Sequence, residues 1–421
     1  MTRRQRTAVV GSGVAGLTAA YVLRGRHEVT LYESDGRLGG HAHTRDVVSG
    51  DGRAHPVDSG FIVHNERTYP HLLRLFDELG VVTRATEMSM SVRCQGCGLE
   101  YAGARGPRGL FARTANAVTL PYLRMLTEVP RFHRAARRVL ADEERDDRLT
   151  LGDFLAGQGF SRYFVRHFVT PVVSAVWSCP AATALSYPAR YLFRFLDHHG
   201  MLAVSGSPSW RTVVGGSRDY VTRIGKQLDA VHTSTPVRAL RRGCDRVELT
   251  TEDGATATYD SVVVATHPDQ ALRLIADPTE AERRVLGAFR YSRNRTLLHT
   301  DTSVLPRRAG ARAAWNYLLP ACEAGAGQVR VSYDMNRLQG IEAPETYVVS
   351  LGDHDIPADR VLDRMVYEHP LYTPESVAAQ RRLSALNSQV AVFAGAYHGW
   401  GFHEDGCRSG VAAAAALGVR W

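Results

Sequence analysis

The chain has 421 residues, of which 44% are hydrophobic and 22% are charged, a composition typical of globular proteins. This length exceeds what one hydrophobic core usually serves, so we expect two domains. The net charge of +8 suits anionic partners, but the basic residues are scattered and form no nucleic-acid-binding module, which argues against a nucleic-acid partner.

Six cysteines are too few for a disulfide framework and indicate a reducing, cytoplasmic compartment. Cys94 and Cys97 form a single C-x-x-C motif with alternating residues on both sides. Because no second pair accompanies it, the motif indicates a hairpin turn rather than half of a zinc site. No stretch reaches the ~18 apolar residues of a spanning helix, so only peripheral contact at the inner membrane face stays open as an alternative.

Segment 6–33 predicts a mononucleotide-binding unit of strand, glycine-rich turn, helix and strand. Gly11 permits the tight turn, Gly13 lets the backbone approach a pyrophosphate, and Gly16 allows the helix to pack closely on the strand. The second strand ends at Glu33, where a ribose-binding acid is expected. The predicted cofactor contacts of this unit are Gly11, Ser12, Gly13, Val14, Ala15, Gly16 and Glu33.

The next residues, ESDGRLGGH, place an arginine and a glycine pair directly after the acid. This pattern resembles the flavin-binding segment of the amine oxidase and phytoene desaturase superfamily, and the resemblance implies FAD as the cofactor. Two glycines remove side chains where the backbone meets the pyrophosphate and ring, and an arginine can neutralise phosphate charge. The cofactor contacts that the resemblance adds here are Ser34, Arg37, Gly39, Gly40 and His41.

His41 stands where the superfamily often has arginine. We therefore predict a cofactor-pocket residue whose charge titrates near neutrality. His43 would point to the same side of an extended chain. A metal site would need a third ligand, which no neighbouring residue clearly supplies, so no metal is predicted.

Two further segments resemble the superfamily. Segment 56–63 resembles its next strand, with Gly60, Phe61 and Ile62 against the flavin. Segment 390–418 resembles its C-terminal FAD motif, in which a helix N-terminus faces the flavin pyrimidine. The contacts implied by this second motif are Gly395, Phe402, His403 and Glu404.

Between these segments the sequence predicts a helical block that ends near His199 and begins with a helix over 68–81. Thr150 and Asp153 form a helix-capping pair. The flavin-binding part resumes ahead of Val237, which is predicted to present its backbone to the adenine. A hairpin follows, and then the strand that brings Ala265 to the cofactor.

The predicted fold class is α/β, with a Rossmann-like FAD-binding domain of the glutathione-reductase or amine-oxidase type and an inserted α+β substrate domain. The FAD-binding domain is predicted to comprise residues 1–67, 205–288 and 387–421. The substrate domain is predicted to comprise residues 68–204 and 289–386.

More narrowly, DSGFIVHNERTYP, YDMNRLQG and GFHEDG resemble a bacterial family described as predicted NAD/FAD-binding, amine-oxidase-like proteins. That resemblance implies, for some members, action on membrane fatty acyl chains beside cyclopropane-type methyltransferases. Typical amine oxidases have a lysine that orders a water at the flavin, whereas Lys226, the only lysine here, falls on a predicted surface helix. The segment that carries a flavin-linking cysteine in some relatives has no counterpart, so FAD is expected to bind non-covalently.

The leading functional hypothesis is therefore a desaturase or dehydrogenase that transfers hydride from a lipid-like or fatty acyl substrate to the flavin. An oxygen-using amine oxidase, a flavin-dependent double-bond isomerase, and a non-catalytic flavoprotein partner of a lipid methyltransferase remain open. Trp400 and Phe402 are expected to form an apolar wall. Groups that flank the flavin segments are the candidates for proton transfer: His64, Tyr69, His398, His403 and Glu404.

Overall fold

The structure is a computed structural model, and it describes residues 3–142, 148–203, 206–323 and 329–421. The predicted domain boundary between residues 204 and 205 lies outside the described residues, and the domain division stays a prediction. Within the described ranges, no helix is both long enough and apolar enough to cross a membrane.

The described strands are numbered in chain order. They are β1 Gln5–Val10, β2 His27–Tyr32, β3 Thr44–Val48, β4 Ala54–Asp58, β5 Val63–Asn65, β6 Thr83–Ala85, β7 Met90–Cys94, β8 Glu100–Ala102, β9 Trp210–Val213, β10 Ala230–His232, β11 Val237–Arg242, β12 Val247–Thr251, β13 Thr256–Tyr259, β14 Ser261–Val264, β15 Arg290–His299, β16 Trp315–Leu319, β17 Val331–Asp334, β18 Val348–Leu351, β19 Val361–Leu371 and β20 Ala391–Phe393.

The helices are numbered in the same way, and a π-helical turn, Val165–Val169, joins the sixth to the seventh. They are α1 Val14–Leu23, α2 Pro70–Leu79, α3 Gly106–Leu110, α4 Leu120–Ala141, α5 Leu151–Gly157, α6 Arg162–Phe164, α7 Thr170–Trp177, α8 Ala181–Leu185, α9 Ala189–His198, α10 Arg218–Gly225, α11 Pro268–Leu274, α12 Glu280–Leu286, α13 Met335–Gln339, α14 Pro374–Gln380 and α15 His403–Ala416.

A five-stranded sheet in the order β10-β2-β1-β14-β20 carries the nucleotide-binding motifs. All of its neighbouring strands pair in parallel, and β14 and β20 are buried along their whole length, as expected for a sheet covered on both faces. Parallel strands bring their carboxyl ends to one edge. The residues that follow these ends include Gly11, Glu33, Ala265 and Gly395.

Helices α1 and α15 pack closely against each other because α15 carries glycines at the contact. A Cβ atom on Gly406 would lie 2.5 Å from Cγ1 of Val14, and one on Gly410 would lie 2.4 Å from the carbonyl oxygen of Ala15. Since Gly406 is the fourth residue of α15 and Val14 is the first residue of α1, the two N-termini lie side by side. Both therefore present unpaired backbone N–H groups toward the same edge of the parallel sheet.

A mixed seven-stranded sheet in the order β19-β15-β18-β17-β16-β7-β8 forms a second layer. The helical block from α3 to α9 packs on it around buried aromatic rings such as Phe154 and Phe193, whose centroids are 4.8 Å apart. Smaller sheets complete the fold: β11-β12-β13, β3-β4 and β5-β9-β6.

The local predictions are largely confirmed. The helix expected over 68–81 is α2, which ends at the left-handed Gly80, and the Thr150 hydroxyl accepts a hydrogen bond from the Asp153 backbone at 3.1 Å. The prediction of one strand over 56–63 is wrong, because β4 ends at Asp58. The backbone turns there instead: Phe61 donates its N–H to the His41 carbonyl at 2.7 Å.

Candidate functional site

The glycine turn after β1 has the geometry of a phosphate-binding loop. Gly11 adopts φ +98°, a left-handed conformation that favours glycine. A Cβ atom on Gly16 would lie 2.0 Å from the Gly11 carbonyl oxygen and 3.1 Å from Cβ of Ala265. A Cβ atom on Gly13, in contrast, would meet nothing within 4 Å. Two glycines are thus required by the fold, whereas Gly13 leaves open space beside the N-terminus of α1.

That N-terminus offers free donors to an anion. Gly13 is the N-cap residue of α1, no side chain caps it, and the first turn contains no acidic residue. The unpaired N–H groups and the helix dipole favour a phosphate at such a position. Ser12, Val14 and Ala15 are buried around this turn.

Glu33 and the following loop close over the glycine turn. The Glu33 carboxylate accepts hydrogen bonds from the Ser12 backbone at 2.9 Å and from the Ser12 hydroxyl at 2.5 Å. The Ser34 hydroxyl donates to the same carboxylate at 3.1 Å. The Gly39 backbone donates to the Ser12 hydroxyl, also at 3.1 Å, and a Cβ atom on Gly40 would lie 3.2 Å from the Cα atom of Gly13. The predicted cofactor residues on both loops are therefore brought together.

Arg37 contacts its own loop, because its guanidinium donates to the Gly40 carbonyl at 2.8 Å; its predicted phosphate contact stays a prediction. Val237 begins β11, close to this loop, because the Thr235 backbone donates to the Glu33 carbonyl at 2.9 Å. Its contact to adenine likewise stays a prediction.

Phe61 and His403 meet at the N-terminus of α15. Their rings stack with centroids 3.6 Å apart, and Nε2 of His403 lies 3.0 Å from the Tyr220 hydroxyl. A Cβ atom on Gly60 would lie 2.2 Å from the His41 carbonyl oxygen, so glycine is required there. These contacts join segment 56–63 to the C-terminal motif.

His41 and His43 both face β19, as an extended chain would direct them. The His41 ring lies 5.1 Å from Tyr367 and 5.5 Å from His369, and Nδ1 of His43 lies 2.8 Å from the Tyr367 hydroxyl. Burial holds the pKa of His41 well below its ordinary value, and the nearby His369 lowers that pKa further. This lowered pKa contradicts the prediction that His41 titrates near neutrality.

Tyr367 and His369 were not identified from the sequence. They are two residues apart on β19 and so share one face, and the Asn294 amide on β15 donates to Nδ1 of His369 at 2.8 Å. The alternation of residues along β19 cannot indicate what this face contacts, because His41 is more than three hundred residues away in the sequence.

Gly395 and Glu404 are the remaining predicted cofactor residues of the C-terminal motif. Gly395 is extended, and a Cβ atom there would lie 2.2 Å from the Tyr397 ring. The Glu404 carboxylate accepts hydrogen bonds from the backbone N–H groups of His71 at 3.1 Å and Leu72 at 3.0 Å. Glu404 thus caps α2, and its predicted contact with the flavin has no support in this arrangement.

Among the predicted proton-transfer residues, His64 stands out because it is fully buried and neither ring nitrogen has a hydrogen-bond partner. Its ring contacts those of Tyr69 and Phe76, at 6.3 and 5.3 Å. Nε2 of His398 also lacks a partner. Buried polar atoms are almost always paired in folded proteins, so these nitrogens mark positions where a bound group is expected.

An apolar wall precedes α15, as expected for Trp400 and Phe402. The Phe402 ring stacks on Phe195 at 4.9 Å and meets Trp177 at 6.3 Å. Trp177 donates its indole N–H to the Trp400 carbonyl at 3.1 Å. Helices α7 and α9 of the helical block therefore supply half of this wall. Lys226, in contrast, is exposed at the end of α10.

We expect acid to destabilise the fold. Burial lowers the pKa of His64, His369 and His398 to about 4, whereas unfolded histidine titrates at about 6.5. Because these folded pKa values are depressed, their stabilisation is full above about pH 6.5 and is lost as the pH falls toward 4. Each contributes on the order of 2 kcal/mol between about pH 7 and pH 5.

Two buried carboxyls act in the opposite direction, since burial raises the pKa of Asp58 and Asp405 to about 6. The effect of the histidines on stability is larger than that of the carboxyls. The free energy of unfolding measured with urea should therefore be several kcal/mol lower at about pH 5 than at about pH 7. The variant His64→Phe, which removes one such histidine, should show a weaker pH dependence. Equal stability of the parent at both pH values would contradict this expectation.

These features fit FAD. The open space at Gly13 and the uncapped N-terminus of α1 suit a pyrophosphate. The N-terminus of α15 lies beside the N-terminus of α1. The ring nitrogens without partners belong to His64 on β5 and to His398 ahead of α15. The residues that would hold the cofactor are those of the glycine turn, the 33–41 loop, Gly60, Phe61 and the start of α15.

Comparison with known proteins agrees with this geometry. The family model for flavin containing amine oxidoreductase matches residues 14–298. The chain is 30% identical over 288 residues to carotenoid phi-ring synthase of Streptomyces griseus, covering 65% of this chain and 54% of that protein. It is 25% identical over 284 residues to (S)-6-hydroxynicotine oxidase of Paenarthrobacter nicotinovorans, covering 66% of this chain and 63% of that protein. The matches thus span between 54% and 63% of the length of these relatives.

Solved structures share the fold across nearly the whole chain. Cyclohexylamine oxidase of Brevibacterium oxydans has a TM-score of 0.70 at 16% identity and covers 99% of both chains. A fatty acid isomerase from P. acnes has a TM-score of 0.70 at 14% identity, over 97% of this chain and 98% of that one. These likenesses confirm the predicted fold class. Since the family model spans more than half of the sequence, the chain belongs to the flavin-containing amine oxidoreductase family.

Proposed function

We propose that the chain is a desaturase or dehydrogenase that acts on a lipid-like or fatty acyl substrate. The apolar wall carries this proposal. Trp177, Phe195, Trp400 and Phe402 contact one another directly ahead of the helix N-terminus that is expected to face the flavin. Such rings remove water and favour an aliphatic chain, whose burial contributes about 0.8 kcal/mol per CH₂ group.

In the proposed reaction, adjacent substrate carbons lose one hydride and one proton, and a carbon–carbon double bond forms. Bound FAD supplies the two-electron acceptor for the hydride. The wall orients the acyl chain and excludes water, and a neutral histidine accepts the proton. We assign this role to His64 or His398, because burial keeps both neutral, with pKa values of about 4, and each has a ring nitrogen without a partner.

The position of lysine supports this proposal over ordinary amine oxidation. Lys226 is the only lysine of the chain, and it is exposed directly after the last residue of α10. It therefore cannot supply the water-ordering lysine that the resemblance to typical amine oxidases implies. The identity to (S)-6-hydroxynicotine oxidase keeps amine oxidation as the second candidate.

Anaerobic mixing tests the proposal. We expect the yellow, flavin-loaded protein to bleach with vesicles of methyl-branched or monounsaturated phospholipid and to stay yellow with an amine panel. The matched control is the same protein with fully saturated, unbranched phospholipid, which tests whether the lipid surface alone perturbs the flavin spectrum. Bleaching by an amine but not by lipid, with peroxide released in air, would overturn the desaturase in favour of the oxidase.

Two other outcomes identify the remaining alternatives. A shifted double bond without bleaching or any electron acceptor would indicate an isomerase, the activity named for the structurally similar fatty acid isomerase. If a lipid methyltransferase loses activity when the chain is deleted but not when flavin binding is destroyed, the chain is a non-catalytic partner. We propose a cytoplasmic location, with contact at the inner membrane face where such a substrate resides.

A further inference from the structure

Four side chains from three distant parts of the chain converge where strands β7 and β16 of the seven-stranded sheet end. Cys94 and Cys97 belong to the β7–β8 hairpin, His167 to the π-helical turn, and Cys322 to the segment after β16. Their ligand atoms all lie within 4.8 Å of one another. The Sγ atoms of Cys94 and Cys322 are 3.6 Å apart, and Sγ of Cys97 is 3.7 Å from Nε2 of His167.

The histidine is oriented as a metal ligand would be. Nδ1 of His167 donates to the Tyr163 carbonyl at 3.1 Å, which leaves the Nε2 lone pair directed at the sulfur atoms. The Tyr163 ring stacks on the imidazole at 4.0 Å. Metal-binding histidines usually have their second nitrogen fixed in this way. The π-helical turn, a rare conformation that often occurs at functional sites, brings the imidazole to this position.

The hairpin turn is also shaped to hold the sulfur atoms together. A Cβ atom on Gly96 would lie 2.7 Å from the Cys322 backbone nitrogen and 3.2 Å from its Sγ, so only glycine allows this approach. Gly98 has φ +70°, and Arg113 donates to its carbonyl at 2.9 Å. The predicted hairpin is confirmed, because β7 and β8 pair in antiparallel fashion.

We propose that Cys94, Cys97, His167 and Cys322 bind one zinc ion in a tetrahedral site. Zinc–sulfur bonds of about 2.3 Å place neighbouring sulfur atoms about 3.8 Å apart, close to the separations in this cluster. Three cysteines and one histidine fill all four positions, as in structural rather than catalytic zinc sites. The ion would join the helical block to the seven-stranded sheet, and binding would release protons from the thiols.

The sequence favoured a hairpin turn over half of a zinc site, because no second C-x-x-C pair accompanies Cys94 and Cys97. The other ligands lie seventy and more than two hundred residues further along the chain, so their spacing carries no recognisable signal. Among the described residues, this is the one group of cysteine, histidine or carboxylate ligands close enough to hold a metal.

Elemental analysis of the flavin-loaded protein, produced with zinc in the medium, tests the site. We expect about one zinc per chain in the parent, and at least a tenfold loss in Cys97→Ser and Cys322→Ser. Cys244→Ser, which changes an exposed cysteine elsewhere, should keep the zinc. His167→Ala, which removes the imidazole ligand, should lose it.

A second measurement on the parent avoids variants that fail to fold. A mercurial reagent that modifies thiols should release zinc in proportion to the cysteines modified, and a strong chelator should lower the melting temperature while leaving the bound-flavin spectrum unchanged. Parent protein without stoichiometric zinc after zinc addition would overturn the site. So would zinc that persists in Cys97→Ser and Cys322→Ser, or a disulfide between Cys94 and Cys322 found by mass spectrometry in protein alkylated before denaturation.

Discussion

Replacing Gly13 by valine is expected to weaken FAD binding by about 100-fold, equivalent to about 2.8 kcal/mol, without unfolding the protein. The reason is the open space at this position, where a Cβ atom would meet no protein atom within 4 Å. Gly13 has φ −61° and ψ 172°, which valine readily adopts. The added side chain would therefore project into the space through which a ligand approaches the N-terminus of α1.

The measurement is a fluorescence titration of FAD with flavin-free protein, with circular dichroism to check the fold. Gly25→Val is the matched control, since Gly25 also has open space around its Cβ position but lies in an exposed turn at the opposite end of α1. Gly25→Val should bind FAD like the parent. If Gly13→Val bound FAD with unchanged affinity, the pyrophosphate site would lie elsewhere.

Replacing Gly410 by valine is expected to lower the free energy of unfolding by about 3 kcal/mol or more. A Cβ atom there would lie 2.4 Å from the Ala15 carbonyl oxygen and 3.0 Å from the Ala19 backbone nitrogen. Both atoms belong to the backbone of α1, so no side-chain rotation can relieve the overlap. Helix α15 must move away from α1, and flavin affinity should fall as well because the two N-termini separate.

Ala415→Val is the control for this variant, because Ala415 is exposed on the same helix. Valine there costs only its lower helix propensity, about 0.5 kcal/mol. Denaturant unfolding of both variants and the parent gives the comparison. Equal stability of Gly410→Val and Ala415→Val would show that the two helices do not need the close approach.

Much of the flavin-binding part was predictable because its signals are local. The glycines around α1, the acid after β2 and the glycines of α15 each act within a few residues of their neighbours in the chain. Backbone conformation at Gly11 and close packing at Gly16 require glycine regardless of how the distant parts of the chain fold. The sequence could therefore predict the loop, its helix and its ligand class together.

Long-range contacts account for the predictions that were wrong and for the residues that the sequence did not identify. His41 does not titrate near neutrality, because β19 and its own loop bury it, and burial is a property of the folded chain. The Glu404 carboxylate accepts hydrogen bonds from the N-terminal backbone of α2, a contact that depends on how two helices from distant parts of the chain meet. His41 and Glu404 both lie in predicted flavin-binding segments, but the groups that surround them come from distant parts of the chain.

By itself, the sequence determined the nucleotide-binding unit, the flavin motifs at both ends of the chain and local elements such as α2, because these depend on short-range conformation. Only the tertiary structure decided which side chains meet: the wall of Trp400 and Phe402 against the helical block, the contact of His41 with β19, and the cluster of Cys94, Cys97, His167 and Cys322. Such clusters draw their members from segments far apart in the chain, and hydrophobic packing of the sheets and helices, not residue spacing, brings those segments together.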